Sequence, residues 1–160
     1  MAKHLAQYNV AKMRSAADDP VMDDFYGAVE MIHKLAGRSP GFVRLIEDGG
    51  YAPWGDASVL PNLTVWEDLE SLKDFTYRSA HGNIFSKRDK WFVPLARPHM
   101  VLWWFEDEGE GPSLEDATRR LDHLHEHGPS TEGFTFGVAF DSDGRPLAGP
   151  ASHRKTENVD

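Results

Sequence analysis

Apolar and polar positions alternate along His4–Val10 ("HLAQYNV"), the two-residue period of a strand with one buried face. The period then lengthens: Met22, Phe25, Val29, Ile32 and Ala36 recur at spacings of three and four, the inner stripe of a helix. Asp18-Asp19-Pro20 supplies its cap and first-turn proline, and Gly37 with Ser39-Pro40 its stop. Gly41–Glu47 reads as a second strand, Asp48–Ala57 as a glycine-rich loop, and Ser58–Trp66 as a third strand. Pro61 cannot donate to a ladder, so that strand is bulged or has an unpaired side there. Asp68 caps a second helix with Leu69, Leu72, Phe75 and Thr76 inward; Gly82 weakens it, and a further piece follows through Trp91-Phe92. His99–Phe105 ("HMVLWWF") is the most apolar strand, and Ser113–Gly128 a capped helix striped by Leu114, Ala117, Leu121 and Leu124. Phe134–Phe140 is read as a short final strand. Beyond Asp141 the chain is polar and rich in turn formers, so residues 1–140 are expected to form one domain and 141–160 a flexible tail.

The order β-α-β-β-α-β with an appended C-terminal helix is the ferredoxin-like arrangement, an antiparallel sheet with helices on one face, and the class is α+β. The fourth strand adds a demand. Val101, Trp103 and Phe105 fall on one side of it and Met100, Leu102 and Trp104 on the other, all large and apolar. At about 25 cal/mol per Å², two or three such side chains left wet forfeit several kcal/mol. A second copy of the sheet would cover them, so a homodimer is expected.

Composition narrows the functional classes. The chain has 160 residues, a net charge of −9 and no cysteine, which leaves no disulfide framework and no thiolate nucleophile. The summed negative field disfavours nucleic acid; the basic cluster "SKRDK" (Ser86–Lys90) reads as a solvated helix face. No apolar run has the length of a membrane span and the start lacks a secretory pattern, so a cytoplasmic protein without membrane contact is expected. No phosphate-binding glycine loop or serine-elbow pattern is present.

Several polar groups stand where core would be expected. In "FTYRSAHGNIF" (Phe75–Phe85), Tyr77 and His81 are four residues apart and share a helix face, with Arg78 at its edge. A neutral imidazole can take a phenolic proton near neutral pH, and an arginine or tyrosine can hold the resulting oxyanion. On the strands, Gln7 and Asn9 share one side, as do Asn62, Thr64 and Trp66; amides inside a sheet are costly unless bonded, and a ligand pocket is one way to satisfy them. "HLHEH" places His123 and His127 one turn apart, a spacing two metal ligands could use, but no third ligand is evident and no metal site is expected.

The blocks "HLAQYNVAKMRS", "RSPGFV", "NLTVWEDLESLKDFTYRSAH", "RPHMVLWW" and "RLDHLHEHGPSTEGFTF" resemble a family catalogued as a domain of unknown function, over about Leu5–Phe140. That family lies in the dimeric α+β barrel superfamily, with antibiotic-biosynthesis monooxygenases, haem-degrading monooxygenases and non-oxidative cyclases. The resemblance implies a homodimer and a ligand pocket between sheet and helices. By position Asn9 and His81 match two residues of haem-degrading relatives, whereas a tryptophan of theirs is Phe75 here, a departure that argues against haem breakdown. The expected function is that of a small-molecule enzyme resembling antibiotic-biosynthesis monooxygenases, acting on an aromatic or polyketide-like substrate without a cofactor. His81, Tyr77, Arg78 and Asn9 would carry catalysis, and Asn62, Tyr8, Trp66, Phe75 and Trp91 would bind substrate. Two alternatives stand beside it: a cyclase, isomerase or lyase working by proton transfer, and a haem-binding protein with His81 as ligand.

Overall fold

The computed structural model describes residues 2–81 and 88–147, except the side chains of residues 80, 81, 88 and 89. Along these residues run β1 (Lys3–Met13), α1 (Asp23–Gly37), β2 (Phe42–Ile46), β3 (Val59–Trp66), α2 (Leu69–His81), the single turn α3 (Arg88–Trp91), β4 (Phe92–Val93), β5 (Met100–Glu106) and α4 (Leu114–His127). Every strand pairing is antiparallel, in the order β2-β3-β1. β5 and β4 share the far side of β1, opposite Lys3–Asn9 and Lys12–Met13 respectively. Two hairpin-and-crossover units therefore place β1 and β3 at the centre, which is the ferredoxin-like α+β fold. Among the described residues no helix is long and apolar enough to cross a membrane.

Local chemistry explains the boundaries. The Asp19 carboxylate accepts from the Val21 N–H and Pro20 opens a 3-10 turn that leads into α1, so the expected cap acts one turn early. Pro61 stays in register opposite Val10 without a bulge. β2 stops pairing at Leu63, so the strand has no neighbour on the side where Pro61 lacks a donor. The register shift falls instead between Phe42 and Arg44. Ser113 caps α4 by accepting from Asp116 N–H at 3.1 Å.

The two faces of the sheet are covered by different parts of the same chain. On one, Leu5, Trp66 and Leu102 pack with Ala36 of α1 and Leu69 and Leu72 of α2. On the other, Ala6, Tyr8, Val10, Leu63, Val101 and Trp103 pack under Leu114, Ala117, Leu121 and Leu124 of α4. Trp103 is 1% exposed within a single chain. This corrects the reason for expecting a second copy: the apolar face that called for one is already roofed by α4. The remaining side of β5 is closed by Phe134 and Phe140, which pack on Leu102 and Trp104.

That closing segment is not the expected strand. Phe134 forms one bridge with Leu102, through bonds of 2.8 and 2.9 Å, and the chain then bends, Thr135 N–H reaching Val138 O. The Trp104 indole N–H donates to Phe140 O at 2.8 Å and fixes its end. Part of the expected tail is folded too: Phe140 bridges Pro146, and Leu147 N–H donates to Ala139 O. Residues 148–160 lie outside the described residues.

One charged cluster sets the path from β5 to α4. Asp107, its side chain 3% exposed, accepts from Arg44 at 2.8 and 2.9 Å, contacts His4 Nδ1 at 2.7 Å and accepts from Gly109 N–H. Arg44 also donates to Gly111 O, so β1, β2 and the loop before α4 are tied at one point. Burial alone would raise this carboxyl; the bonds from His4, Gly109 and Arg44 outweigh it and hold the pKa at about 2, against 3.8 for an ordinary aspartate. A depressed carboxyl stabilises the fold above its unfolded value, and that contribution disappears as pH falls through the folded value. Asp107→Asn is therefore expected to lower the urea midpoint at neutral pH. The gap from the native protein should narrow as pH drops from 3.8 toward about 2.

Candidate functional site

Register places Asn9 opposite Asn62 and Gln7 opposite Thr64 on the paired strands β1 and β3, all on the α1/α2 face. The structure links these groups in a single chain of bonds. Trp66 Nε1–H donates to Thr64 Oγ1 at 3.0 Å, and the Thr64 hydroxyl donates to Gln7 Oε1 at 2.8 Å. Gln7 Nε2 and Asn62 Nδ2 then both donate to Asn9 Oδ1, at 2.8 and 2.9 Å. His33 of α1 brings Nε2 to 3.4 Å from Asn62 Oδ1, a long final link.

The direction of the chain is set at its buried end. An indole N–H can only donate, so Thr64 accepts from Trp66 and has its own proton left for Gln7. Reversing the amides would leave that buried hydroxyl, on a residue 6% exposed, without an acceptor. With the direction fixed, Asn9 Oδ1 is used twice, and among the described residues no hydrogen bond uses Asn9 Nδ2. Trp66 and Thr64 are buried, whereas Asn9, Asn62 and His33 are half-buried. The open end of the chain therefore presents an oriented amide donor.

Of the residues singled out from sequence, Asn9, Asn62 and Trp66 come together here. Phe75 of α2 lies against Trp66, ring centroids 5.0 Å apart. The others do not join them. Tyr8 belongs to the opposite face, as the alternation of β1 requires, and corrects its expected place in the pocket wall. Its hydroxyl meets Thr118 Oγ1 at 2.8 Å; Thr118 donates to Leu114 O and accepts from Tyr51, so both phenols donate to it. Burial pushes the Tyr8 phenol up to about 12. Trp91 packs with Phe25, Met22 and Met13 in a separate cluster at the far end of β1. Arg78 donates to Ser39 Oγ at 3.1 Å and pins α2 to the turn after α1, while Tyr77 is 64% exposed. The expected grouping of Tyr77 and Arg78 with Asn9 is thus not formed. His81 ends α2, and its side chain lies outside the described residues.

His33 is the residue that sequence reasoning missed. It follows Val29 by four and precedes Ala36 by three, so the stripe that marked α1 as amphipathic already included its position. A cavity of about 230 Å³ lies elsewhere, where the sheet edge is broken between β4 and β5, lined by Val10, Ala11, Phe92, Val93, Leu95 and His99 among others. On α4 the rings of His123 and His127 meet at 4.6 Å, with Glu132 3.7 Å from His123. Among the described residues no group of three metal-ligating side chains converges.

Fold and site together define a ferredoxin-like α+β protein with an ordered polar layer between its sheet and two helices. The chain belongs to the DUF3291 family, a domain of unknown function, whose profile matches residues 4–148. A comparison with curated proteins finds no match. Solved structures with a similar course include SnoaB of Streptomyces nogalater, described as a cofactor-independent oxygenase: 15% identity, 70% of this chain, 100% of that one, TM-score 0.45. Also similar is a proposed antibiotic biosynthesis monooxygenase from Chloroflexus aurantiacus: 13% identity, 68% of this chain, 97% of that one, TM-score 0.42. A NIPSNAP-like domain protein from Burkholderia xenovorans shows 14% identity over 69% of this chain and 90% of its own, TM-score 0.41.

Replacing Thr64 tests the chain where it begins. Thr64→Val removes the acceptor of the Trp66 N–H and the donor to Gln7 at nearly constant volume. It is expected to cost about 1–3 kcal/mol, read by urea denaturation.

Proposed function

We propose that the chain is a small-molecule enzyme of monooxygenase-like type that binds an aromatic or polyketide-like substrate where α1 crosses the amides of β1 and β3. The observation that carries this reading is the direction of the bond chain, which occupies Asn9 Oδ1 twice and leaves the Asn9 NH2 to donate. A fixed amide donor in a partly desolvated site suits the oxyanion of an ionised phenol or enol. Asn62, held by Asn9 and His33, keeps the donor in place, and the Trp66–Phe75 pair offers an aromatic wall beside it.

An electron-rich anion held in this way can react with dioxygen directly, which needs no cofactor of the chain's own. The same anion can instead rearrange by proton transfer, as in a cyclase or isomerase. The haem-binding alternative has less behind it, because its ligand would be His81, whose side chain lies outside the described residues, and the Trp66–Phe75 pair offers no ligand to an iron.

Oxygen uptake and absorbance with a panel of polycyclic phenols test the reading. Asn9→Ala should lower kcat by roughly 10²–10³, the effect of removing one oxyanion donor; an unchanged kcat in this variant would overturn it. Turnover at the full rate without oxygen would assign the proton-transfer chemistry in place of oxygenation.

A further inference from the structure

The bond chain between sheet and helices ends on an imidazole, and its direction fixes which nitrogen of that ring is protonated. Asn62 Nδ2 donates to Asn9, so Asn62 Oδ1 is the atom that faces His33. A carboxamide oxygen only accepts, and His33 Nε2 must therefore carry the hydrogen. In the neutral ring the second nitrogen, Nδ1, is then the basic one, and among the described residues it has no partner. His33 is half-buried, next to the half-buried asparagine pair.

We propose that His33 is the proton acceptor of this site. Resting on the reading of the amide layer as a ligand site, it names the substrate class as one with an acidic hydroxyl, a phenol or enol. Nδ1 takes the hydroxyl proton: the substrate O–H bond breaks, the Nδ1–H bond forms, and the electron pair stays on oxygen. The products of the step are an imidazolium and a substrate oxyanion, the latter held by the Asn9 NH2. Asn62 Oδ1 keeps Nε2–H in place throughout. No oxidant enters this step.

Two measurements on the full chain test the assignment. Ring nitrogen shifts of the labelled protein should show His33 in the Nε2–H form; the Nδ1–H form would overturn the proposal. In the second, 1-naphthol serves as the probe, because its ionised form absorbs at longer wavelength. Binding to the native protein should raise the ionised fraction, and His33→Gln should still bind 1-naphthol with that fraction reduced at least roughly tenfold. Binding that remains equally ionised in His33→Gln overturns the assignment alone, as does loss of the signal in His81→Gln with His33→Gln intact. Absence of binding by the native protein, with Asn9→Ala indistinguishable from it, overturns the ligand-site reading and this assignment together.

Discussion

A strand buried on both faces gives each residue a different environment from the next, and β1 does so along its whole middle. Ala6, Tyr8 and Val10 enter the apolar layer under α4, while Leu5, Gln7 and Asn9 enter the layer under α1 and α2. Because the side-chain period is two, the register of β1 against β3 and β5 fixes both layers at once. A slip by one residue would drive the Tyr8 phenol into the helices and the amides into the core beneath α4. The amide chain and the Tyr8–Thr118–Tyr51 contact each hold that register, one from either side.

Covering the second face within one chain requires α4 to cross over the sheet, and the crossing needs an anchor. Asp107, at the end of β5, meets Arg44 from β2 and His4 from β1 before the chain reaches Ser113. A buried carboxylate with one partner would be a poor anchor, since desolvation outweighs a single contact. Here two side chains and the Gly109 N–H surround it, and its low pKa follows from their sum. The placement of α4 and the burial of Trp103 therefore depend on a cluster of charges at the sheet's end.

Strand and helix order were legible from periodicity because each element keeps its own period and a cap or breaker marks most ends. What periodicity does not carry is which layer covers which face. The apolar residues on both sides of β5 were visible, but the cover on one side is an appended helix and on the other an irregular segment, Phe134–Phe140. A run such as "FTFGVAF" alternates well enough to suggest a strand. Gly137 and the Thr135–Val138 bond turn it away from the ladder after one bridge. In the polar layer, Asn9 and Asn62 were conspicuous in the sequence because each places an amide on a strand. Tyr8 was expected in the pocket wall, but it alternates with Gln7 and Asn9 along the strand and so enters the opposite layer, under α4. His33 escaped because a histidine on an otherwise apolar stripe looks like a tolerated member of it; only the facing residue, Asn62, makes it distinct.

Stability alone gives little reason for the polar layer. Val or Ile at Gln7, Asn9, Asn62 and Thr64 would bury more apolar surface, and a satisfied amide bond contributes only about 0.5–1.5 kcal/mol net. A partly satisfied network is costly in a dry interior; among the described residues this one is bonded throughout its buried end and leaves the Asn9 NH2 and His33 Nδ1 open only at its half-buried end. It starts at an indole that is sealed from water and can only donate, and it ends at a half-buried imidazole. Orientation imposed at the closed end is passed link by link to the open end, where it fixes Asn9 as a donor and the Nε2 of His33 as the protonated nitrogen. A layer built that way holds its polarity without help from solvent, the condition under which a hydrogen-bond donor stabilises developing charge without reorganising.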